Sequence, residues 1–205
     1  MKALVVFSGG LDSTLCLIKA INQYKKENVL ALFFSYGQKH IIEMEQAKII
    51  AEKLDVQLEI FEFNVLAKIG NSELICNKNK ETSHKFPPTF VPMRNIIFLT
   101  IASSIAYKQN IDTIITGVCA NDFAGYPDCR ENTIKSLQDT LSFAVESRIN
   151  IITPLLFTNK SKTIKEYYKL NMQHFIELTH SCYNNIRGGC GHCGSCIERN
   201  KALNE

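Results

Sequence analysis

Apolar and polar positions fall along this chain in blocks whose period changes. Ala3-Leu4-Val5-Val6-Phe7 is continuously apolar, and the turn Ser8-Gly9-Gly10-Leu11-Asp12-Ser13 separates it from an amphipathic run. An unbroken apolar run is what a central parallel strand needs, because helices cover both of its faces. The same reading predicts a helix from about Ser13 to Tyr24, a strand over Val29 to Phe34, a helix over Ile41 to Leu54 and a strand over Val56 to Phe61. Met93 to Gln109 reads as a long, largely apolar helix, and Thr113 to Thr116 as a strand ended by Gly117. Glu131 to Val145 is helical in pattern, Ile151 and Ile152 form a short last strand before Pro154, and Ser161 is placed to cap a helix from Lys162 to about Leu170. Strand and helix therefore alternate. That order implies an α/β fold, an open parallel sheet with helices on both faces. Ligands of such sheets sit at the carboxyl ends of the strands. One polar segment, Gly70 to Thr89, has no periodicity and contains Pro87-Pro88; a loop this long reads as a lid or as a disordered segment.

The first turn carries chemistry. Gly9 and Gly10 admit backbone angles closed to other residues and let a ligand approach the main chain. Ser8, Asp12 and Ser13 are short polar residues suited to capping the next helix. Amides at a helix start, aided by the helix dipole, form an anion cradle. The string is neither G-x-x-x-x-G-K-[ST] nor G-x-G-x-x-G. S-G-G-L-D-S resembles the PP-loop of the ATP pyrophosphatase superfamily. Members bind ATP and usually cleave it between the α and β phosphates, attaching AMP to an oxygen of the substrate. The resemblance implies that Ser8 to Ser13 hold pyrophosphate and that Asp12 helps to place magnesium.

Composition narrows the picture. The 205 residues are 45% hydrophobic, enough for one domain with a small appendage. The expected division is an ATP-binding α/β unit over 1–160 and a helical, cysteine-bearing region over 161–205. A net charge of +3 gives no sign of a surface that coats nucleic acid, so no nucleic-acid partner is expected. No stretch is long and apolar enough to span a membrane, and the N-terminal apolar run is too short for a signal peptide. A cytoplasmic protein is expected. Of eight cysteines, four crowd the C-terminal end, which favours metal binding over a disulfide framework.

Those four are Cys182, Cys190, Cys193 and Cys196. The last three form C-x-x-C-x-x-C, and Gly188-Gly189 lets the chain turn back towards Cys182. Four thiolates can surround zinc tetrahedrally, leaving no open position, so such a site is structural. An iron–sulfur cluster is the rival occupant, since the same spacing occurs in ferredoxins. The fourth cysteine and the lack of a proline after Cys196 favour zinc. His192 is a possible replacement ligand. Cys16 reads as core, Cys76 lies in the polar segment, and Cys119 and Cys129 flank a loop.

Three more polar segments fall where strands should end: Ser35 to His40, Val91 to Asn95 and Gly117 to Arg130. Together they are expected to line a pocket beside the phosphate turn. Arg94 and Arg130 suit a carboxylate. Asn95, Asp122 and Asp128 suit ring N–H groups or amines. Tyr36, Phe123 and Tyr126 suit stacking on a flat ring. Lys160 and Lys162 follow the last strand and suit phosphates, or else are a solvated helix start.

F-S-G-G-L-D-S-T, S-Y-G-Q-K-H, V-P-x-R-N, G-Y-P-D-C-R, T-P-L and S-C-Y followed by C-G-H-C-G-S-C occur in that order. Taken together they resemble the 7-cyano-7-deazaguanine synthase family of queuosine biosynthesis, over nearly the whole chain. The resemblance implies an ATP-dependent conversion of 7-carboxy-7-deazaguanine and ammonia to the nitrile. It also implies one zinc per subunit, magnesium with the ATP, and often a homodimer. It places ATP on Phe7, Ser8, Gly9, Gly10, Leu11, Asp12, Ser13, Thr14, Leu15, Cys16 and Leu17. It places zinc on Cys182, Cys190, Cys193 and Cys196, and the reaction at Asp12, Ser13, Arg94, Asp128 and Arg130. The chain departs from the family pattern at Val118-Cys119-Ala120, where asparagine usually follows Gly-Val, at Phe123-Ala124 and at Met93. A tRNA sulfurtransferase of the same superfamily, or another carboxylate-amidating ligase, is the alternative.

Overall fold

A computed structural model describes residues 1–37, 41–66, 89–119 and 126–205. The polar segment up to residue 88, with Cys76, and the loop residues Asp122 and Phe123 lie outside the described residues, as do residues 38–40.

The described chain runs β1 (Ala3–Val6), α1 (Leu11–Tyr24), β2 (Val29–Ser35), α2 (Ile41–Lys53), β3 (Gln57–Glu62), α3 (Arg94–Lys108), β4 (Thr113–Thr116), α4 (Glu131–Ala144), β5 (Asn150–Ile152), α5 (Lys160–Lys169) and α6 (Gly194–Leu203). The strands form one parallel sheet in the order β3-β2-β1-β4-β5. β1 and β2 lie inside it and are buried on both faces, as their apolar runs require. Alternate residues of β1 feed two cores. Ala3 and Val5 join α1, α2 and α5 in one, through Leu15, Ile50 and Tyr167; Leu4 joins α3 and α4 in the other, through Leu99 and Ile134. Helices thus cover both faces. Among the described residues no helix is long and apolar enough to cross a membrane.

The strand order reverses between β1 and β4. The chain steps outward from β1 to β3 and then crosses back, through α3, to β4 on the other side. A crevice opens at the carboxyl ends of strands flanking such a reversal. The turn after β1 and Gly117 after β4 meet there. A Cβ on Gly117 would stand 2.9 Å from the Ser13 nitrogen.

Several boundaries differ from the sequence reading. α1 begins at Leu11 rather than Ser13, because Gly10 is extended (φ −81°, ψ 168°) and accepts the Thr14 N–H at 3.0 Å. α5 begins at Lys160 and is capped by Asn159, whose side chain accepts the Lys162 N–H at 2.9 Å. Ser161, expected as the cap, instead bonds the Glu205 carboxylate. α6 was not visible in the sequence pattern, because its first turn is built from the cysteine-glycine repeat.

Candidate active site and cysteine cluster

The turn between β1 and α1 is braced by its own hydroxyls. Ser13 Oγ accepts the Ser8 N–H at 3.2 Å, donates to the Gly10 carbonyl at 3.2 Å and lies 3.0 Å from Ser8 Oγ. Gly9 takes φ 75°, and a Cβ there would lie 3.0 Å from both Ala47 N and Glu43 O of α2. No other residue fits that position. The first turn of a helix has amides without an intrahelical acceptor, and in α1 that turn, with Leu11, Asp12 and Ser13, faces a cavity. Lys160 reaches across from α5 and forms an ion pair with Asp12. The two side chains are only 18% and 15% exposed, so this charge pair is held largely out of water. Lys160 Nζ also lies 3.8 Å from the buried Cys119 sulfur.

The cavity, of about 270 Å³, runs from this turn over the ends of β2 and β4. One part is aromatic: Phe34 stacks on Phe98 at 4.4 Å, and Tyr36 lies 5.2 Å from Phe98. Arg94 and Asn95, from the start of α3, also line it, with Tyr126. Tyr126 Oη lies 2.5 Å from Thr89 Oγ1. Burial by itself weakens Arg94's hold on its proton, but Tyr36, Tyr126 and Asp128 outweigh it, so the guanidinium stays charged. Burial raises Tyr36 above the ordinary phenol range, against the pull of Arg94. Burial also pushes the Glu43 carboxyl up to about 7, with Arg94 acting in the opposite direction.

Not every residue singled out in the sequence reaches the cavity. Asp128 is buried and accepts the Asn95 N–H at 2.9 Å, so it caps α3, and its charge acts on Arg94. Asn95 Nδ2 donates to the Cys129 sulfur at 3.0 Å. Arg130 is exposed at the N-cap of α4, and Lys162 is exposed on α5. Thr14, Leu15, Cys16 and Leu17 are fully buried in the core side of α1; Cys16 donates to the Thr116 carbonyl at 3.9 Å. Gly9 acts through shape. Conversely, Glu43, His180, Ser195 and Arg199 line the cavity without having stood out in the sequence.

The C-terminal region closes this site. The sulfurs of Cys182, Cys190, Cys193 and Cys196 all lie within 4.8 Å of one another, and Cys190 and Cys196 are 4.0 Å apart. Tetrahedral thiolates bound to one zinc ion stand about 3.8 Å apart. The donor set therefore fits a single ion with four thiolates. Gly189 (φ 95°) gives the necessary room, since a Cβ there would sit 3.1 Å from the Cys196 sulfur. The backbone N–H groups of His192 and Cys193 lower the Cys190 thiol's hold on its proton, which suits a metal thiolate. Burial pushes Cys196 the other way. One turn after Cys196, Arg199 donates to the Thr179 carbonyl at 3.0 Å and to the Ile176 carbonyl at 2.5 Å. The next residue, His180, donates its N–H to the Gly9 carbonyl at 3.0 Å. The cysteine knot is thus tied to the phosphate turn.

Two comparisons bear on this arrangement. The U34-tRNA thiolase NcsA from Methanococcus maripaludis, solved with its 4Fe–4S cluster, is similar in fold, with a TM-score of 0.55 and 17% identity. The alignment covers 100% of this chain but only 64% of that one, so the chain spans less than two thirds of the thiolase. At that identity the likeness concerns the fold alone. Residues 2–205 match the family described as queuosine biosynthesis protein QueC, a span that takes in the turn after β1, Arg94, Tyr126 and all four clustered cysteines. On that match over essentially its whole length, the chain belongs to the QueC family.

Proposed function

We propose that this PP-loop enzyme converts 7-carboxy-7-deazaguanine and ammonia to 7-cyano-7-deazaguanine at the expense of ATP. The observation that carries the reading is a single cavity holding the phosphate turn at one part and Arg94 among aromatic rings at another. A flat, anionic ring compound and a nucleoside triphosphate are what such a cavity suits.

A carboxylate is a poor acyl donor, because its leaving group would be oxide. AMP transfer to it supplies a good leaving group, ammonia then gives the amide, and a second activation of the amide oxygen gives the nitrile. The protein's work is positioning and charge stabilisation. The α1 amides and Lys160 meet phosphate charge, Arg94 holds the ring carboxylate, and Tyr36 and Phe98 supply the stacking surface. The Asp12 carboxylate is an oxygen donor of the kind magnesium takes, and it is the residue proposed to hold it. Zinc is proposed for the four cysteines in a structural role, since the compact sulfur set suits one ion.

The test is incubation of the purified protein with ATP, ammonium and 7-carboxy-7-deazaguanine, read by mass spectrometry. Nitrile is expected. Release of amide alone would limit the enzyme to one amidation, and no product would sink the reading. Iron with labile sulfide in the purified protein would favour tRNA sulfur transfer instead.

A further inference from the structure

The cavity is lined by two carboxylates among the described residues, Asp12 and Glu43. Asp12 is ion-paired with Lys160. Asp128 stands behind the wall, bonded to the Asn95 N–H. The Glu43 side chain forms no hydrogen bond or ion pair among the described residues. It stands in the first turn of α2, directly over the phosphate turn, where its carbonyl oxygen comes within 3.0 Å of a Cβ built on Gly9. Arg94 and Tyr36 line the same cavity, near enough for their electrostatics to reach the Glu43 carboxyl.

We infer that Glu43 is the ammonium-binding residue of this cavity and takes a proton from ammonium to release the attacking ammonia. The inference rests on the proposed amidation. Ammonia in neutral water is mostly ammonium, which has no lone pair with which to attack. A site that uses it needs a carboxylate to bind the cation and accept its proton. Arg94 does not hold Glu43 once the substrate is bound, because the substrate carboxylate neutralises the guanidinium. The raised Glu43 carboxyl narrows the gap in proton affinity to ammonium. The step balances. Ammonium and the Glu43 carboxylate give ammonia and the carboxylic acid. The nitrogen lone pair then bonds to the acyl carbon, the bond from that carbon to the AMP-bearing oxygen breaks, and AMP leaves with that electron pair. The second proton lost by nitrogen goes to water.

The experiment compares the full-length wild type with Glu43→Gln in three assays. Carboxylate-dependent ATP–pyrophosphate exchange reports adenylation without any nitrogen nucleophile. Product formation is followed against ammonium concentration. Hydroxamate formation is followed with hydroxylamine, which is largely unprotonated at neutral pH and needs no base to free its lone pair. Exchange and hydroxamate formation are expected to persist, while ammonium-dependent turnover falls by about 100-fold or more. An unchanged response to ammonium would overturn the inference. So would a parallel loss of exchange, which would place Glu43 in carboxylate or ATP binding, or an equal loss with hydroxylamine. Absence of exchange in the wild type would instead remove the proposed reaction, and this inference with it. If Glu43→Gln does not fold, Glu43→Asp, which keeps the charge but withdraws it by one methylene, is read by the same split.

Discussion

Replacing Gly117 with alanine tests whether β4 and the phosphate turn form one rigid unit. The added Cβ would lie 2.9 Å from Ser13 N and 3.1 Å from both the Asp12 carbonyl carbon and Ser13 Cα. All three are backbone atoms, so no side chain can swing aside. Either β4 or the first turn of α1 must move. Overpacking of this kind costs about 1–3 kcal/mol. At about 2–4 °C per kcal/mol for a chain of this size, a 2 kcal/mol loss lowers the melting temperature by about 4–8 °C. The displaced groups are those that face the ligand. If about 1.4 kcal/mol of the strain is relieved only by moving the turn out of register, ATP binds about tenfold more weakly. The assays are thermal unfolding and calorimetric titration with ATP. Gly194→Ala is the control: among the described residues, apart from its chain neighbours and its own helix backbone, no atom lies within 4 Å of its Cβ position, and it starts α6. Alanine there is expected to be neutral or to stabilise by up to about 1 kcal/mol. A Gly117→Ala protein with wild-type melting and ATP affinity would refute the argument, because the turn would then be free to shift without loss.

Asp12→Ala removes the carboxylate paired with Lys160, and turnover and ATP–pyrophosphate exchange should vanish while far-UV dichroism and metal content persist; a fully active variant would count against the phosphate-turn assignment. Cys193→Ser should lower metal content and melting temperature together, since a structural ion is coupled to folding, and full metal occupancy in that variant would exclude the four-sulfur site. Asp128→Ala leaves the Asn95 N–H without its carboxylate; a bond of this charged type contributes about 1.5–3 kcal/mol, so denaturant unfolding should shift by that order and the KM for the ring carboxylate should rise as Arg94 loses support. An unchanged KM there would separate the cap from the site.

The turn after β1 was legible because three signals coincide within a few residues: an unbroken apolar run, two glycines and the onset of helical spacing. The same change of period made β2, β4 and the helices around them legible. The cysteines were legible by spacing alone, since a knuckle is a local structure. What was not legible depends on the sheet order. Asp128 and Arg130 are two residues apart and equally polar, yet one caps α3 from behind the cavity wall and the other lies in solvent. Only the packing of the 127–129 turn against α3 decides that. Glu43 sits in an ordinary amphipathic pattern, and it matters because α2 packs tightly on Gly9. Asn159 displaces Ser161 as cap because its backbone is extended (φ −121°, ψ 171°) and already sets its oxygen over the Lys162 amide.

The position of the cysteine knot gives it a consequence beyond holding the C-terminal end. A structural ion far from a site stabilises the fold uniformly, but this cluster connects to the phosphate turn through few bonds. Cys196 and Arg199 share one helix, Arg199 grips Thr179 and Ile176, and the neighbouring His180 amide bonds the Gly9 carbonyl. Gly9 cannot relax elsewhere, because α2 presses on it from the other side. The turn is therefore clamped between α2 and the cysteine-bearing segment, and Ser181, Tyr183 and Ser195 of that segment line the cavity itself. Loosening the four sulfurs frees one side of the clamp while leaving the sheet and the α3–α4 core untouched; of α6, only Ala202 reaches the other core. ATP affinity should then fall before the sheet unfolds, so that chelation separates nucleotide binding from global stability. A stabilising ion unconnected to the turn would make the two fall together.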